Sequence, residues 1–382
     1  MRTIQINDTT LRDGEQSAGI AFTAPEKVAL AILLDEIGIQ ELEVGTPAMG
    51  GAEAQAITEM THLGLKSSLL SWNRAVRSDI SASIACGIKR VHISIPVSDI
   101  QISAKFQGNC RLVLERLRDS INFALDKGLY VSIGGEDSSR ADESFLLDVA
   151  LCAQDWGASR FRFCDTVGIL DPATTSEKVS KLVKALSIDV EMHTHNDFGL
   201  ATANALAGLQ AGATSVNTTV NGLGERAGNA ALEEVVMALK RLYTIDLKIN
   251  TRRLRELSQF VVKASGYPVP PWKAIVGKNV FAHESGIHVH GILQNPSTYE
   301  PFTPEEVGWE RQLVIGKHSG RHTLLSLFQQ HGIHLTREET QSILERVRHL
   351  SVQVKRGLTV EELLNLVSIK ENSSWDCITP AK

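Results

Sequence analysis

Short β-branched and apolar runs alternate along the chain with stretches whose apolar residues recur at helical spacing. The runs 3–8 (TIQIND), 41–45 (ELEVG), 67–72 (SSLLSW), 90–96 (RVHISIP), 130–136 (YVSIGGE), 160–166 (RFRFCDT), 189–197 (DVEMHTHND) and 214–222 (TSVNTTVNG) read as strands. Between them, 25–38 and 111–128 read as helices. The first has Pro25 in its opening turn and Gly38 as its stop. Strands recur at intervals of roughly thirty residues, the size of one βα unit. Eight such units fill residues 1 to about 245, which predicts an α/β chain folded as a closed TIM (β/α)8 barrel. An open doubly wound sheet is the competing architecture.

The alternation then stops. Residues 266–271 (GYPVPP) punctuate the chain, and 272–322 is rich in His, Pro and Gly. Two amphipathic helices are expected near 336–351 and 359–370. The expected organisation is a barrel over 1–250, a linker and His-rich subdomain over 251–325, and a smaller helical subdomain over 326–382.

Composition narrows the function classes. With 43% hydrophobic and 22% charged residues, the 382-residue chain has enough apolar content for a large core. Lys and Arg number 39 against 44 Asp and Glu. That balance argues against a nucleic-acid or anionic-membrane binder, which carries a basic face. Five cysteines without a CxxC indicate neither a disulfide framework nor a thiolate zinc site. No apolar run approaches the ~18 residues that span a bilayer, and no apolar leader is evident at the N-terminus, so a cytoplasmic location is expected.

Barrel chemistry gathers where strands end. The first strand runs into Asp8-Thr9-Thr10-Leu11-Arg12-Asp13-Gly14-Glu15-Gln16, a density of charge that a plain loop does not require. The seventh ends in Glu191-Met192-His193-Thr194-His195-Asn196-Asp197. Residues two apart on a strand face the same way, so His193 and His195 project together and suit one divalent ion. Closure sets the seventh strand near the first, where Asp13 completes a His2Asp set that leaves positions open for substrate. Such mixed ligands admit Mg, Mn, Fe, Co or Zn. Arg12 is a fixed cation for a developing enolate or a polarised carbonyl. Glu43, Glu136 and Thr166 share the same rim. The loop 221–229 carries GxGxxxG after the last strand. It suits either a phosphate or a tight turn, and it is not the dinucleotide fingerprint. Farther on, His283, His288, His290 and Tyr299 are candidate acid–base groups.

Leu11-Arg12-Asp13-Gly14-Glu15-Gln16 with Lys27, and His193-Thr194-His195-Asn196-Asp197-Phe198-Gly199, resemble two signatures of the isopropylmalate and homocitrate synthase family. Asn221 to Arg226, His283 to His288 and Gly316 to Gly320 are similar to further blocks, so the resemblance covers nearly the whole chain. Gly134-Gly135-Glu136-Asp137-Ser138-Ser139-Arg140, and the lack of a long C-terminal regulatory domain, look most like the nitrogen-fixation type of homocitrate synthase.

The resemblance implies a metal-dependent Claisen condensation of acetyl-CoA with 2-oxoglutarate, giving (R)-homocitrate and CoA, in the supply of the nitrogenase iron–molybdenum cofactor. It implies Asp13, His193 and His195 as metal ligands with Asn229 nearby, and Arg12 as the oxyanion's partner. Thr166 would hold the C1 carboxylate, and Gln16 and Glu43 would line the substrate. His288, Tyr299 and Glu136 would help deprotonate the acetyl methyl. It also implies a homodimer whose C-terminal segment reaches over the partner subunit's barrel.

One departure stands out. Lysine-pathway homocitrate synthases carry His, Arg and Ser where this chain has Trp72, Ser132 and Gly134. A different group must then meet the distal carboxylate, with Arg74 and Arg140 as candidates. The alternatives are a 2-isopropylmalate or citramalate synthase using another 2-oxo acid, a carbon–carbon lyase on a similar barrel, and a non-catalytic metal-binding scaffold.

Overall fold

Eight parallel strands close into a barrel in sequence order in the computed structural model, which describes residues 4–368. They are β1 (Gln5–Asp8), β2 (Glu41–Glu43), β3 (Ser68–Arg74), β4 (Arg90–Pro96), β5 (Tyr130–Glu136), β6 (Arg160–Asp165), β7 (Asp189–Thr194) and β8 (Ser215–Thr218). β1 pairs with both β2 and β8, with Asn7 opposite Glu41 on one side and Asn217 on the other. The closed barrel is the expected architecture, and the open sheet is excluded.

Each strand is buried on both sides, but the two sides differ in chemistry. Ile6, Leu42, Val91, Ile93, Val131, Ile133, Phe161, Phe163, Met192 and Val216 are essentially inaccessible and form the core between strands and helices. The alternate positions face the lumen and are mostly polar: Asn7, Glu41, Glu43, His92, Ser132, Arg160, Arg162, Glu191 and Asn217. Aliphatic layers usually fill such a barrel. Here its centre is an ion-pair network instead.

Local signals shape the surrounding helices. Thr23 and Glu26 form a reciprocal cap at the start of Ala24–Ile37, with Pro25 in the first turn. Gly38 ends that helix at φ 101°, a conformation that favours glycine. The seventh and eighth strands are shorter than the sequence suggests. β7 stops at Thr194, and His195 makes an isolated bridge to Asn229. β8 stops at Thr218, because Val220–Gly222 turns with Asn221 at φ 61°.

The chain divides into two compact units, 1–269 and 270–382. The expected boundary at 250 falls too early. The helix Leu254–Ser265 buries Leu257 and Val261 in the barrel's own core and so belongs to the first unit. The second unit is mainly helical, with a two-stranded parallel ladder of Ala282–His283 and Gln312–Leu313. The expected division at 325/326 cuts through the helix Arg321–Gln330. Leu324 and Phe328 of that helix pack with Ile315, Leu344, Val347 and Leu363, so one core spans the division. Residues 369–382, including the end of the expected helix 359–370, lie outside the described residues. Among the described residues, no helix is long and apolar enough to cross a membrane.

Candidate metal centre and active site

The chain leaves β1 in a wide turn over Thr10–Gly14, closed by Gly14 N–H donating to Thr9 O at 3.0 Å. Thr9 Oγ1 also accepts from Asp13 N–H at 3.3 Å. This turn carries the buried Asp13 carboxylate to the barrel mouth. Asp13 Oδ2 lies 3.3 Å from His193 Nε2 and 3.8 Å from His195 Nε2, and the two imidazole nitrogens are 3.1 Å apart. The three potential ligand atoms all lie within 4.8 Å of one another.

The tautomer of His193 follows from its partner. Asn217 Nδ2 reaches the carbonyl of Asn7 at 3.4 Å, which turns Asn217 Oδ1 toward His193 Nδ1 at 2.7 Å. His193 Nδ1 therefore donates, and Nε2 presents a lone pair to Asp13 and His195. Burial lowers the pKa of His193, and burial with His193 beside it brings His195 down to about 4. Burial alone would raise the Asp13 carboxyl, but Arg12 and the two imidazoles outweigh it and hold it below its usual value. With the His193 Nε2 lone pair, the His195 imidazole and the ionised Asp13 carboxylate gathered within 4.8 Å, the donor set fits a divalent ion with N2O ligation.

Asn229 sits against this cluster. Its Nδ2 donates to Asp13 Oδ2 at 3.1 Å and to Leu223 O at 3.0 Å, while its buried Oδ1 has no partner. Gly224 makes this possible, since a Cβ there would lie 2.3 Å from Asn229 Nδ2. Gly228 similarly lets the loop fold onto the Gly222 carbonyl. The glycines after β8 thus serve close packing and hold Asn229 at the mouth.

Arg12 joins the cluster to the lumen. It pairs with Asp13 at 3.3 Å, donates through Nη1 to Gln16 Oε1 at 3.2 Å, and pairs through Nε with Glu43. Glu43 also receives Arg162 Nη2 at 2.6 Å, and Arg162 pairs through Nε with Glu191. Arg160 links Glu191 and Glu41 in the same lumen. Burial would raise the Glu43 carboxyl, but Arg12 and Arg162 override it and hold it well below the usual range.

Farther round the rim, Glu136 is held by Lys105 Nζ at 2.6 and 2.7 Å. Thr166 Oγ1 accepts from Asp137 N–H at 2.8 Å. Trp72, Arg74, Ser94, Lys105, Arg116 and Glu136 line a cavity of about 400 Å³ at the ends of β3 to β5. A hollow of about 470 Å³ opens at the other end of the barrel, beside Gln5 and Asp189, away from these groups. Arg74 is engaged with Asp79 through two bonds of 2.8 and 2.9 Å, and Arg140 with Asp137 at 2.8 to 3.0 Å. Both candidates for the distal carboxylate are thus taken up by neighbouring carboxylates.

In the second unit, His288 and Tyr299 stack with ring centres 4.1 Å apart, and both are exposed. His283 Nε2 lies 3.1 Å from Glu300, which Arg311 also clamps, so its role there is structural.

Sequence reasoning brought Arg12, Asp13, Gln16, Glu43, His193, His195 and Asn229 to one place. It missed Arg162, Glu191 and Asn217. The signal for Arg162 was present: Arg160 and Arg162 stand two apart, as Glu41 and Glu43 do, and alternate with the apolar Phe161 and Phe163.

Fold and site together define a (β/α)8 barrel with a carboxylate–imidazole cluster that could hold a metal ion at the C-terminal ends of its strands. The chain belongs to the HMGL-like family, whose model matches residues 3–261, and a homocitrate synthase post-HMGL domain-like model matches residues 275–355. It is 70% identical to homocitrate synthase 1 of a Nostoc species, over 96% of this chain and 97% of that protein. It is 56% identical to 2-isopropylmalate synthase 2 of Caldanaerobacter subterraneus, over 96% of this chain and 95% of that protein. Hydroxymethylglutaryl-CoA lyase from Pseudomonas aeruginosa shares the barrel fold, with a TM-score of 0.64 at 19% identity over 70% of this chain and 95% of that one.

Proposed function

We propose that the chain is a homocitrate synthase that condenses acetyl-CoA with 2-oxoglutarate and water to give homocitrate and CoA. The observation that carries this reading is the Asp13–His193–His195 cluster at the barrel mouth, beside Arg12, in a chain 70% identical over 96% of its length to a protein of that name.

Asp13, His193 and His195 would hold a divalent ion, which supplies Lewis-acid polarisation of the keto group when bound. Arg12, fixed between Asp13 and Glu43, faces the oxygen that gains charge as the new carbon–carbon bond forms. Gln16 steadies Arg12, and the Thr166 hydroxyl is a donor for the C1 carboxylate. The acetyl methyl is a weak carbon acid and needs a positioned base, a contribution of about 10²–10⁴-fold. Glu136, held by Lys105, and the stacked His288–Tyr299 pair are the groups for that proton. Hydrolysis of the thioester then makes the condensation irreversible.

The same reading makes the protein a cytoplasmic homodimer in which His288 and Tyr299 serve the partner subunit's barrel. It also gives homocitrate its use in the nitrogenase cofactor. The test is product analysis. Purified protein with acetyl-CoA, 2-oxoglutarate and a divalent ion should yield homocitrate by mass spectrometry. Free CoA without homocitrate would overturn the reading.

A further inference from the structure

Among the lumen groups, His92 has no role in the chemistry described above. It projects from β4, which lies opposite β8 in the closed strand order and so across the lumen from the metal centre. Its ring is oriented by a directional chain of hydrogen bonds. Arg160 Nε donates to Ser132 Oγ at 3.1 Å, and a guanidinium can only donate. Among the described residues the Ser132 hydroxyl has no acceptor in reach other than His92 Nδ1, 3.1 Å away, so it donates there. Nδ1 accepts, so Nε2 carries the hydrogen of the neutral imidazole. Among the described residues Nε2 has no hydrogen-bond partner.

The next layer of β5 makes room for that N–H. Ser132 stands opposite His92, and Gly134 stands opposite Ser94, one layer nearer the mouth. A Cβ on Gly134 would lie 2.4 Å from His92 Nε2. The ring thus leans from its own layer toward the mouth, into space that a side chain at 134 would fill. Trp72 flanks it, opposite His92 on β3 and with its ring centre 5.9 Å from the Arg12 guanidinium carbon.

We propose that His92 Nε2–H receives the distal carboxylate of a dicarboxylic 2-oxo acid, with Ser132 setting its tautomer and Gly134 admitting its ring. A 2-oxo acid that presents its keto and C1 carboxylate oxygens at the metal centre, on the β7, β8 and β1 side, sends its remaining carbons across the lumen toward β4. A branched aliphatic chain there would leave the N–H unpaired against methyl groups, an arrangement that rejects such a substrate. The inference rests on the reading of this chain as a 2-oxo acid synthase and names the group that selects the substrate.

The test compares two substrates of one length, 2-oxoglutarate and 2-oxopentanoate, by thiol release from acetyl-CoA. His92→Ala should lower kcat/KM for 2-oxoglutarate by about tenfold or more, mostly through KM, and change that for 2-oxopentanoate by less than about threefold. His92→Gln, which returns an N–H near the Nε2 position, should recover part of the loss. Gly134→Ala should reproduce the selective defect by crowding the ring. Equal losses on both substrates would make His92 a packing residue and overturn the proposal, as would unchanged 2-oxoglutarate kinetics in His92→Ala. Wild-type protein that turns over 2-oxopentanoate but not 2-oxoglutarate would overturn the proposed function itself, and the inference with it.

Discussion

At the scale of single residues, the site is governed by which buried groups carry charge. Asp13 and Glu43 stay ionised because arginines stand beside them, and the two histidines stay neutral because burial disfavours a proton, helped by Arg162 at His193 and by His193 at His195. Replacing Asp13 with Asn, or His195 with Ala, should lower turnover by about a hundredfold or more and abolish tight metal binding while far-UV circular dichroism stays native. Wild-type turnover in either variant would remove the metal centre from the account. Asp8 offers a separate check. Burial raises its carboxyl from 3.8 to about 7, and its Oδ2 has no partner. Between those values the folded chain holds a proton that the unfolded chain has released, so Asp8 costs stability as pH rises through that window. Asp8→Asn should match wild type in thermal melting near pH 4 and exceed it near pH 8. His195 works in the opposite sense: its contribution to stability is lost as pH falls from 6.5 toward about 4.

At the scale of elements, β6 and the loop after β8 do the positioning. Arg162 joins Glu43 and Glu191 in a lumen closed to water, so its loss leaves two buried carboxylates with one cation fewer each, only Arg12 remaining for Glu43 and Arg160 for Glu191. Arg162→Met should destabilise the fold by about 3–5 kcal/mol in denaturant titrations, and adding Glu191→Gln should return part of it. In the loop, Gly224→Ala forces a Cβ toward Asn229 and should weaken metal affinity by about tenfold, read by direct titration. The sequence made some of this visible and hid the rest. The period-two alternation in TIQIND and DVEMHTHND marks strands and sets His193 and His195 on one face. It does not say that Asn217, 210 residues along the chain from Asn7, fixes the tautomer of His193. Nor does it say that Gly134 is needed for space. Such contacts arise only when the barrel closes, and they join residues far apart in the chain. The strand ends were misjudged for a related reason. TSVNTTVNG keeps strand-like residues past Thr218, but Asn221 turns the chain in a backbone conformation that alternation does not report.

At the scale of the whole molecule, the chain consists of a barrel unit and a smaller helical unit, and the sequence placed their boundary too early because Leu254–Ser265 looks like any amphipathic helix. Only its packing shows that it completes the barrel's core. If His288 serves the partner subunit's barrel, as proposed, mixed dimers give a direct readout. Asp13→Asn and His288→Ala should each be nearly inactive alone. Co-expressed, they should recover about a quarter of wild-type activity, since half the dimers then hold one intact site. No recovery would mean that each subunit serves itself.

The proposed activity is one condensation at the Asp13–His193–His195 cluster. Its most direct test is thiol release from acetyl-CoA with 2-oxoglutarate, 2-oxoisovalerate, pyruvate or oxaloacetate, each with and without EDTA. The account predicts release with 2-oxoglutarate, abolished by chelation and restored by a divalent ion. Release that survives chelation, or that occurs only with a monocarboxylic 2-oxo acid, would contradict it.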